Sequence, residues 1–329
     1  MLAIEGQGVC SICNRREVTG YSYGVLCCSA CKMFFRRSLF MRNVHPCRTG
    51  GNCVRKCRFC RFKRCIEAGM TFTPTENLSD ISNIDSLSAL LFNLAHQESH
   101  REFQVMNCLF VGDPTVAEIA EESGPLRLTP RPLNHPMNLA EWTFITGISS
   151  LNYLKKFSHA TNLNQSDRSN LLKYSFFDFS IFTDAMRAQY RNQEYISFPD
   201  GSDVVRTGFV GVSDQFLNSL RCRLVARIND LRVTKEEFLL LSLVFFCNPG
   251  LRNISESGRG ILNSYQKIYS SALLQYCMMT YNRNGPSRFT DLLSLYNVIV
   301  KTKLDISYVF LLSSIQNPCA DLKKIYVFR

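Results

Sequence analysis

The chain has 329 residues, 46% of them hydrophobic and 20% charged, and a formal net charge of +11. That composition excludes a wholly disordered protein and leaves material for a sizeable core, and the length suits one small module plus one large domain. Charge and cysteine are both placed unevenly. Residues 1–70 carry 13 Lys or Arg against 3 Asp or Glu, the remainder carries 25 against 24, and ten of the 15 cysteines lie between Cys10 and Cys65. A basic end on an otherwise neutral chain points to a polyanionic partner.

The opening stretch Met1–Gln7 lacks the basic-then-apolar pattern of a secretion signal. The longest strongly apolar run, Phe238 to Cys247, is ten residues, where a bilayer span needs ~20. No membrane partner is expected. With no route to an oxidising compartment, the clustered cysteines should hold metal rather than form disulfides. Cys10-x2-Cys13 and Cys28-x2-Cys31 are two knuckles separated by fourteen residues, and their four thiolates can close a tetrahedral zinc site. Metal binding then supplies much of the folding energy of so small a unit. Cys47-x5-Cys53-x3-Cys57-x2-Cys60 offers a second set of four, so two zinc ions are expected. Cys27 and Cys65 are left over; either could replace a neighbour as ligand, and the plainer reading is a small buried thiol.

After Cys28, residues Ser29, Lys32, Met33 and Arg36 fall on one face of a helix, with Phe34, Phe35 and Leu39 opposite. An aromatic back can bury against the zinc module while the front offers Lys and Arg to guanine O6 and N7 in the major groove. Arg37 and Arg42 flank that face and suit phosphate contacts. The competing reading is an amphipathic core helix with a solvated charged face. A second basic cluster, Arg55, Lys56, Arg58, Arg61, Lys63 and Arg64, suits neutralisation of a nucleic-acid backbone. We include Arg61, Lys63 and Arg64 among the DNA contacts; a nuclear localisation signal in the same cluster is compatible with that role.

The zinc module is placed at 1–75, followed by a polar hinge over 76–85 and a helical domain over 86–329. In that domain Leu87, Leu90, Leu91 and Leu94 recur at helical spacing. The five prolines of residues 111–138 read as a loop. Tyr195–Phe198 and Val204–Val212 could form a small hairpin or be loop. Thr234 and Glu237 form a capping box ahead of Phe238 to Phe246, which is apolar nearly all round and should be buried. Asn248-Pro249-Gly250 ends that helix. Ile261, Leu262, Tyr265, Ile268, Tyr269, Ala272, Leu273 and Tyr276 form another helical stripe, and Pro286 opens a helix ahead of Phe289, Leu292, Leu293 and Tyr296. The fold class expected is a small α zinc-binding module with two four-cysteine zinc sites plus a mainly α-helical three-layer domain.

Gly20-Tyr-Ser-Tyr-Gly24-Val25, Cys28-x2-Cys31-Lys-Met-Phe-Phe-Arg-Arg and Cys57-Arg-Phe-Cys-Arg-Phe-Lys-Arg-Cys65-x3-Gly-Met resemble the nuclear hormone receptor DNA-binding domain, in its expanded nematode branch. Asn164–Lys173, Thr234–Pro249 and Gly285–Leu293 resemble the same family's ligand-binding domain. The resemblance implies that Cys10, Cys13, Cys28 and Cys31 hold the first zinc and Cys47, Cys53, Cys57 and Cys60 the second. It places Ser29, Ala30 and Met33 at the half-site-discriminating positions. It further implies a helical sandwich of the ligand-binding type with an apolar pocket for a small lipophilic ligand, a Glu236 or Glu237 bridge to Arg288, and homo- or heterodimers and coregulators as partners. The sequence departs from the family in three places. The gap from Cys13 to Cys28 is one residue longer than usual. Only three residues separate Cys53 from Cys57, which puts the second module's geometry and DNA-dependent dimerisation in question. At the end, Leu322, Ile325 and Tyr326 are present, but lysines stand where a coactivator-clamping glutamate belongs, so weak ligand-driven activation by that route is expected.

The function expected is a nuclear, zinc-dependent, sequence-specific transcription factor binding double-stranded DNA. The alternative is a receptor-like interaction protein that binds DNA poorly because its second zinc module is short. No nucleophile–base set, phosphate loop or His-Glu-x-x-His speaks for an enzyme, and the five histidines are dispersed.

Overall fold

A computed structural model describes residues 8–42, 44–47, 53, 57–74, 84–205, 211–316 and 323–327. The zinc module is built from a short antiparallel hairpin and two helices. Strands β1 (Gly20–Ser22) and β2 (Val25–Cys27) pair with Ser22 opposite Val25. Tyr23 and Gly24 turn the chain, both at positive φ, as a two-residue hairpin turn requires. Helix α1 (Ser29–Met41) and helix α2 (Arg58–Glu67) follow. Their facing aromatic residues make the core: Phe35 stacks on Phe62 with ring centroids 5.7 Å apart, and Tyr23 meets Phe35 edge-on at 5.0 Å. α2 stops at Gly69, whose φ is +93°. Gly69 N donates to Ile66 O and Met70 N to Cys65 O, the paired bonds with which a glycine closes a helix.

The helical domain begins with α3 (Ile84–Asn107) and continues through α4 (Val116–Glu121), α5 (Leu139–Leu154), α6 (Ser158–Thr161) and α7 (Gln165–Tyr190). Then come α8 (Asp214–Leu231), α9 (Lys235–Phe246), α10 (Glu256–Tyr281), α11 (Gly285–Leu293) and α12 (Leu295–Gln316). A 3-10 turn spans Lys324–Tyr326. α7 packs against α4, α5, α8 and α12, α9 packs against α3, α7 and α10, and α10 packs against α11. Buried Leu90, Leu151, Phe176, Phe182, Leu240, Phe246, Leu273 and Ile299 tie these helices into one core. Every side chain from Glu237 to Phe246 is buried. Pro286 sits in the first turn of α11, where its missing N–H costs nothing.

One expectation needs correction. The proline-rich stretch 111–138 is not all loop: Thr115 caps α4 and pairs reciprocally with Glu118, and Thr129–Pro130 forms strand β4 against β3 (Cys108–Leu109). Of the two alternatives for Tyr195–Phe198 and Val204–Val212, the described residues show a single antiparallel bridge, Ser197 to Asp203, with Phe198 N donating to Ser202 O and Val204 N to Ile196 O; residues 206–210 lie outside the described residues. Most of the expected hinge, 76–83, lies outside them too. No helix among the described residues is long and apolar enough to cross a membrane.

Candidate zinc centres and nucleic-acid interface

The sulfurs of Cys10, Cys13, Cys28 and Cys31 all lie within 4.8 Å of one another, and so do those of Cys47, Cys53, Cys57 and Cys60. A tetrahedron with zinc–sulfur bonds of about 2.3 Å has edges of about 3.8 Å. The 3.9 Å from Cys13 Sγ to Cys28 Sγ and the 3.4 Å from Cys47 Sγ to Cys53 Sγ are on that scale. Both donor sets fit zinc. β2 delivers Cys28 to the start of α1, and α1 adds Cys31 one turn later. The first turn of α2 holds Cys57 and Cys60 at the same spacing, so each site is completed by a helix start. At Cys10 burial opposes ionisation, but backbone N–H groups of Cys28, Cys13 and Ile12 aimed at the sulfur outweigh it and bring the thiol down to about 6. Cys27 and Cys65 are buried and belong to neither set. Burial pushes them up to about 11 and about 12, as it also raises Cys31 and Cys60; the positions of the sulfurs, not their acidity, leave Cys27 and Cys65 out of both sets. No disulfide joins any described cysteine.

The short Cys53–Cys57 spacing therefore brings the second group together; residues 54–56 lie outside the described residues. Arg55 and Lys56, expected in the basic cluster, fall there.

α1 has the two faces the spacing predicts. Phe35 and Leu39 are fully buried. Ser29, Lys32, Met33, Arg36, Arg37 and Arg42 are exposed. Ser29 Oγ donates to Thr19 Oγ1 at 3.1 Å, which fixes the start of the exposed face to the loop before the hairpin. Phe34 lies between the faces, under the guanidinium of Arg61 at 4.3 Å.

The second basic cluster divides. Arg61 donates to Ala30 O at 3.0 Å and to Cys31 Sγ at 3.3 Å, and Arg64 donates to Ile12 O at 3.2 Å. Both guanidinium groups brace α2 against the first zinc knuckle. Lys63 is exposed, 3.7 Å from Glu67 and over the ring of Phe103 on α3. Arg58 is exposed. The sequence carries no signal that separates a bracing arginine from a phosphate-binding one in a run of six basic residues.

In the helical domain Glu237 serves two purposes. Its Oε2 accepts from Thr234 N at 2.9 Å, which completes the capping box, and Arg288 grips both carboxylate oxygens, Nε to Oε1 at 2.7 Å and Nη2 to Oε2 at 2.5 Å. Of the two glutamates considered, Glu237 is the partner. Asp167 likewise joins two helices: it accepts from Ser255 N and Ser255 Oγ at the start of α10.

Residues 8–72 match the family described as "Double treble clef zinc finger, C4 type", and residues 128–313 match "Ligand-binding domain of nuclear hormone receptor". Over 329 aligned residues the chain is 34% identical to nuclear hormone receptor family member nhr-167 of Caenorhabditis elegans, covering 96% of this chain and 95% of that one. Nhr-27 of the same organism is 34% identical, with 96% and 90% covered, and nhr-9 is 33% identical, with 96% and 94% covered. The chain belongs to the nuclear hormone receptor family.

A cavity of about 220 Å³ lies where α3, the end of α7 and the start of α9 meet, lined among others by Glu98, Glu102, Arg187, Tyr190, Lys235 and Phe238. Ligand pockets usually hold roughly 300–1,000 Å³. At the receptor's far end, Ile325 is buried and Tyr326 Oη donates to Thr143 O at 2.7 Å, with its ring against Phe176 and Phe177. Lys323 lies over the ring of Phe144. Asp321, Leu322, Phe328 and Arg329 lie outside the described residues.

Proposed function

We propose that this nuclear hormone receptor is a zinc-dependent, sequence-specific transcription factor that acts in the nucleus on double-stranded DNA, and not an enzyme. The observation that carries the reading is α1. Ser29, Lys32, Met33 and Arg36 stand exposed on one face of a helix whose back, Phe35 and Leu39, is buried on a four-cysteine knuckle. Zinc, when bound, cross-links the knuckles. The chain's own residues do the rest. Cys28 and Cys31 fix the start of α1, Arg61 locks α2 to it through Ala30 O, and the buried aromatic back sets the roll of the helix. Lys32 and Arg36 then reach guanine edges, Ser29 and Met33 fill the space beside them, and Arg37 with Lys63 neutralises phosphate. Arg61 and Arg64, already engaged within the module, act by holding its shape.

Titration of the full chain with duplexes carrying hormone-response-type half-sites tests this. Lys32→Ala with Arg36→Ala should flatten the preference between cognate and scrambled sites, since each lost bidentate base contact is worth about 1–3 kcal/mol. Arg37→Ala should weaken all duplexes alike and lower the salt slope by about 1. Binding that survives complete zinc removal overturns the reading.

A small lipophilic ligand, dimerisation and coregulators extend the same proposal to the helical domain. The support is the family's ligand-binding domain itself. Weak activation through the far end is supported by Ile325 and Tyr326, which turn into the domain's own core instead of facing a coactivator.

A further inference from the structure

Helix α3 carries two stripes. Leu87, Leu90 and Leu94 face the helical core. Ala89, Phe92, Asn93, His96 and Gln97 recur at three- and four-residue spacing on another side, and that side meets the zinc module. Ala89 is fully buried within the module's own apolar cluster, and Phe92 packs at its edge. The Phe62 ring lies 5.7 Å from Phe92 and 5.0 Å from His96. The two amide side chains between them are fully buried and are spent on backbone: Asn93 Oδ1 accepts from Phe72 N at 2.8 Å, and Gln97 Nε2 donates to Met70 O at 2.6 Å.

The segment they hold is itself tied on both sides. Thr71 N donates to Tyr23 O in the zinc module's hairpin, while Thr71 Oγ1 donates to Lys156 O just past α5. Phe72 meets Phe40, near the end of α1, edge-on at 5.7 Å. A continuous chain of contacts therefore runs from α3 through Asn93 and Phe72 to the helix that faces DNA. Undocking would expose Ala89, Phe92 and part of Phe62 and break three hydrogen bonds together, two of them buried, so the joint should open cooperatively rather than fray.

We propose that α3 is a clasp that fixes the zinc module in one orientation on the helical domain, with Asn93 and Gln97 as positioning residues for DNA reading. Stability of the helical domain and occupancy of α1 by DNA are then linked, and the linkage is reciprocal: whatever shifts α3 alters DNA affinity, and DNA tightens α3. The DNA half of this linkage rests on the reading given above; the clasp itself does not.

Hydrogen exchange on the full chain tests it in two arms. Zinc removal should raise exchange at least tenfold along Leu87–Gln97 of α3 as well as in the zinc module. Adding a bound half-site duplex should slow exchange in α3 and in α9, which packs on it. Asn93→Ala with Gln97→Met should abolish both responses in the helical domain and speed exchange of the Phe72 amide. Thr71→Val, which removes one hydrogen bond at nearly constant shape, serves if that double variant does not fold, and it should weaken both responses. An α3 indifferent to chelator and to duplex, or responses that persist in both variants, overturns the clasp. A zinc-loaded chain that binds no duplex overturns the DNA reading instead, and the chelation arm still decides the clasp.

Discussion

Arg288→Met should destabilise the helical domain far more than a surface charge substitution would. Glu237 is completely buried, whereas the Arg288 side chain retains 13% exposure. Removing Arg288 leaves the carboxylate with the Thr234 N–H and the Tyr281 hydroxyl but no cation, in a site that water does not reach. Breaking a buried pair by deleting one partner costs about 3–5 kcal/mol. The partial exposure of Arg288 screens the native pair somewhat, so we expect the lower end, about 3 kcal/mol. For a domain of this size each kcal/mol moves the midpoint by roughly 2–4 °C, so the loss should be roughly 6–12 °C. Circular dichroism of the full chain at helical wavelengths reads it. Glu237→Gln keeps an oxygen for the Thr234 N–H and should cost less. The double variant should cost less than the sum, because the second change removes a charge already stranded. A drop below about 2 °C for Arg288→Met, with strictly additive effects, would show that the pair bridges α9 and α11 in geometry alone.

Two further outcomes are expected. A β-carbon on Gly147 would stand 3.0 Å from Ile325 Cδ1 and closer still to Tyr326 Oη. Gly147→Ala should therefore expel the Lys324–Tyr326 turn while leaving α5 helical, seen as faster proteolysis of the last residues with helix content unchanged; retention of the turn would show that α5 can shift instead. Stability should also fall as pH drops from 7 to 5. Burial holds His159 down to about 3, and burial with nearby Lys156 and Lys63 holds His100 down to about 4. Both folded values lie below the unfolded one of about 6.5, so the unfolded state binds more protons across that window. Their stabilisation is whole above it and is lost as pH falls toward 4 and 3, by roughly 2 kcal/mol for each histidine at pH 5. His100→Gln and His159→Gln should each flatten the midpoint-against-pH curve; an unchanged slope in both would assign the acid sensitivity to other groups, the zinc thiolates first.

The zinc centres and α1 were legible because their chemistry is fixed by residue type and short spacing. Cys-x2-Cys is a ligand pair on a turn, and a helix with Phe35 and Leu39 behind and Lys32 and Arg36 in front declares which side is wet. The apolar α9 and the Thr234–Glu237 cap were legible for the same local reason. Elements that depend on a distant partner were harder. The Arg288 bridge left two glutamates open, since Glu236 and Glu237 are neighbours and only the capping geometry turns Glu237 inward. Helix α4 was hidden by the prolines around it, although Thr115 and Glu118 carry the same reciprocal cap that marked α9.

Helix α3 marks the limit of that local logic. A search for apolar periodicity finds Leu87, Leu90 and Leu94 and assigns the remaining face to water, because Asn93, His96, Gln97 and Arg101 are polar. Asn93 and Gln97 are 0% exposed, and Arg101 is 1% exposed with its charge on Glu98. Partners offset the burial of a polar side chain, and here Phe72 N meets Asn93 Oδ1 and Met70 O meets Gln97 Nε2, both backbone groups of another module. Backbone has no signature in sequence, so the face that joins the two halves of the receptor looks like any solvated one. The residues most able to carry a signal between DNA and the helical domain are therefore those that hydropathy alone leaves out.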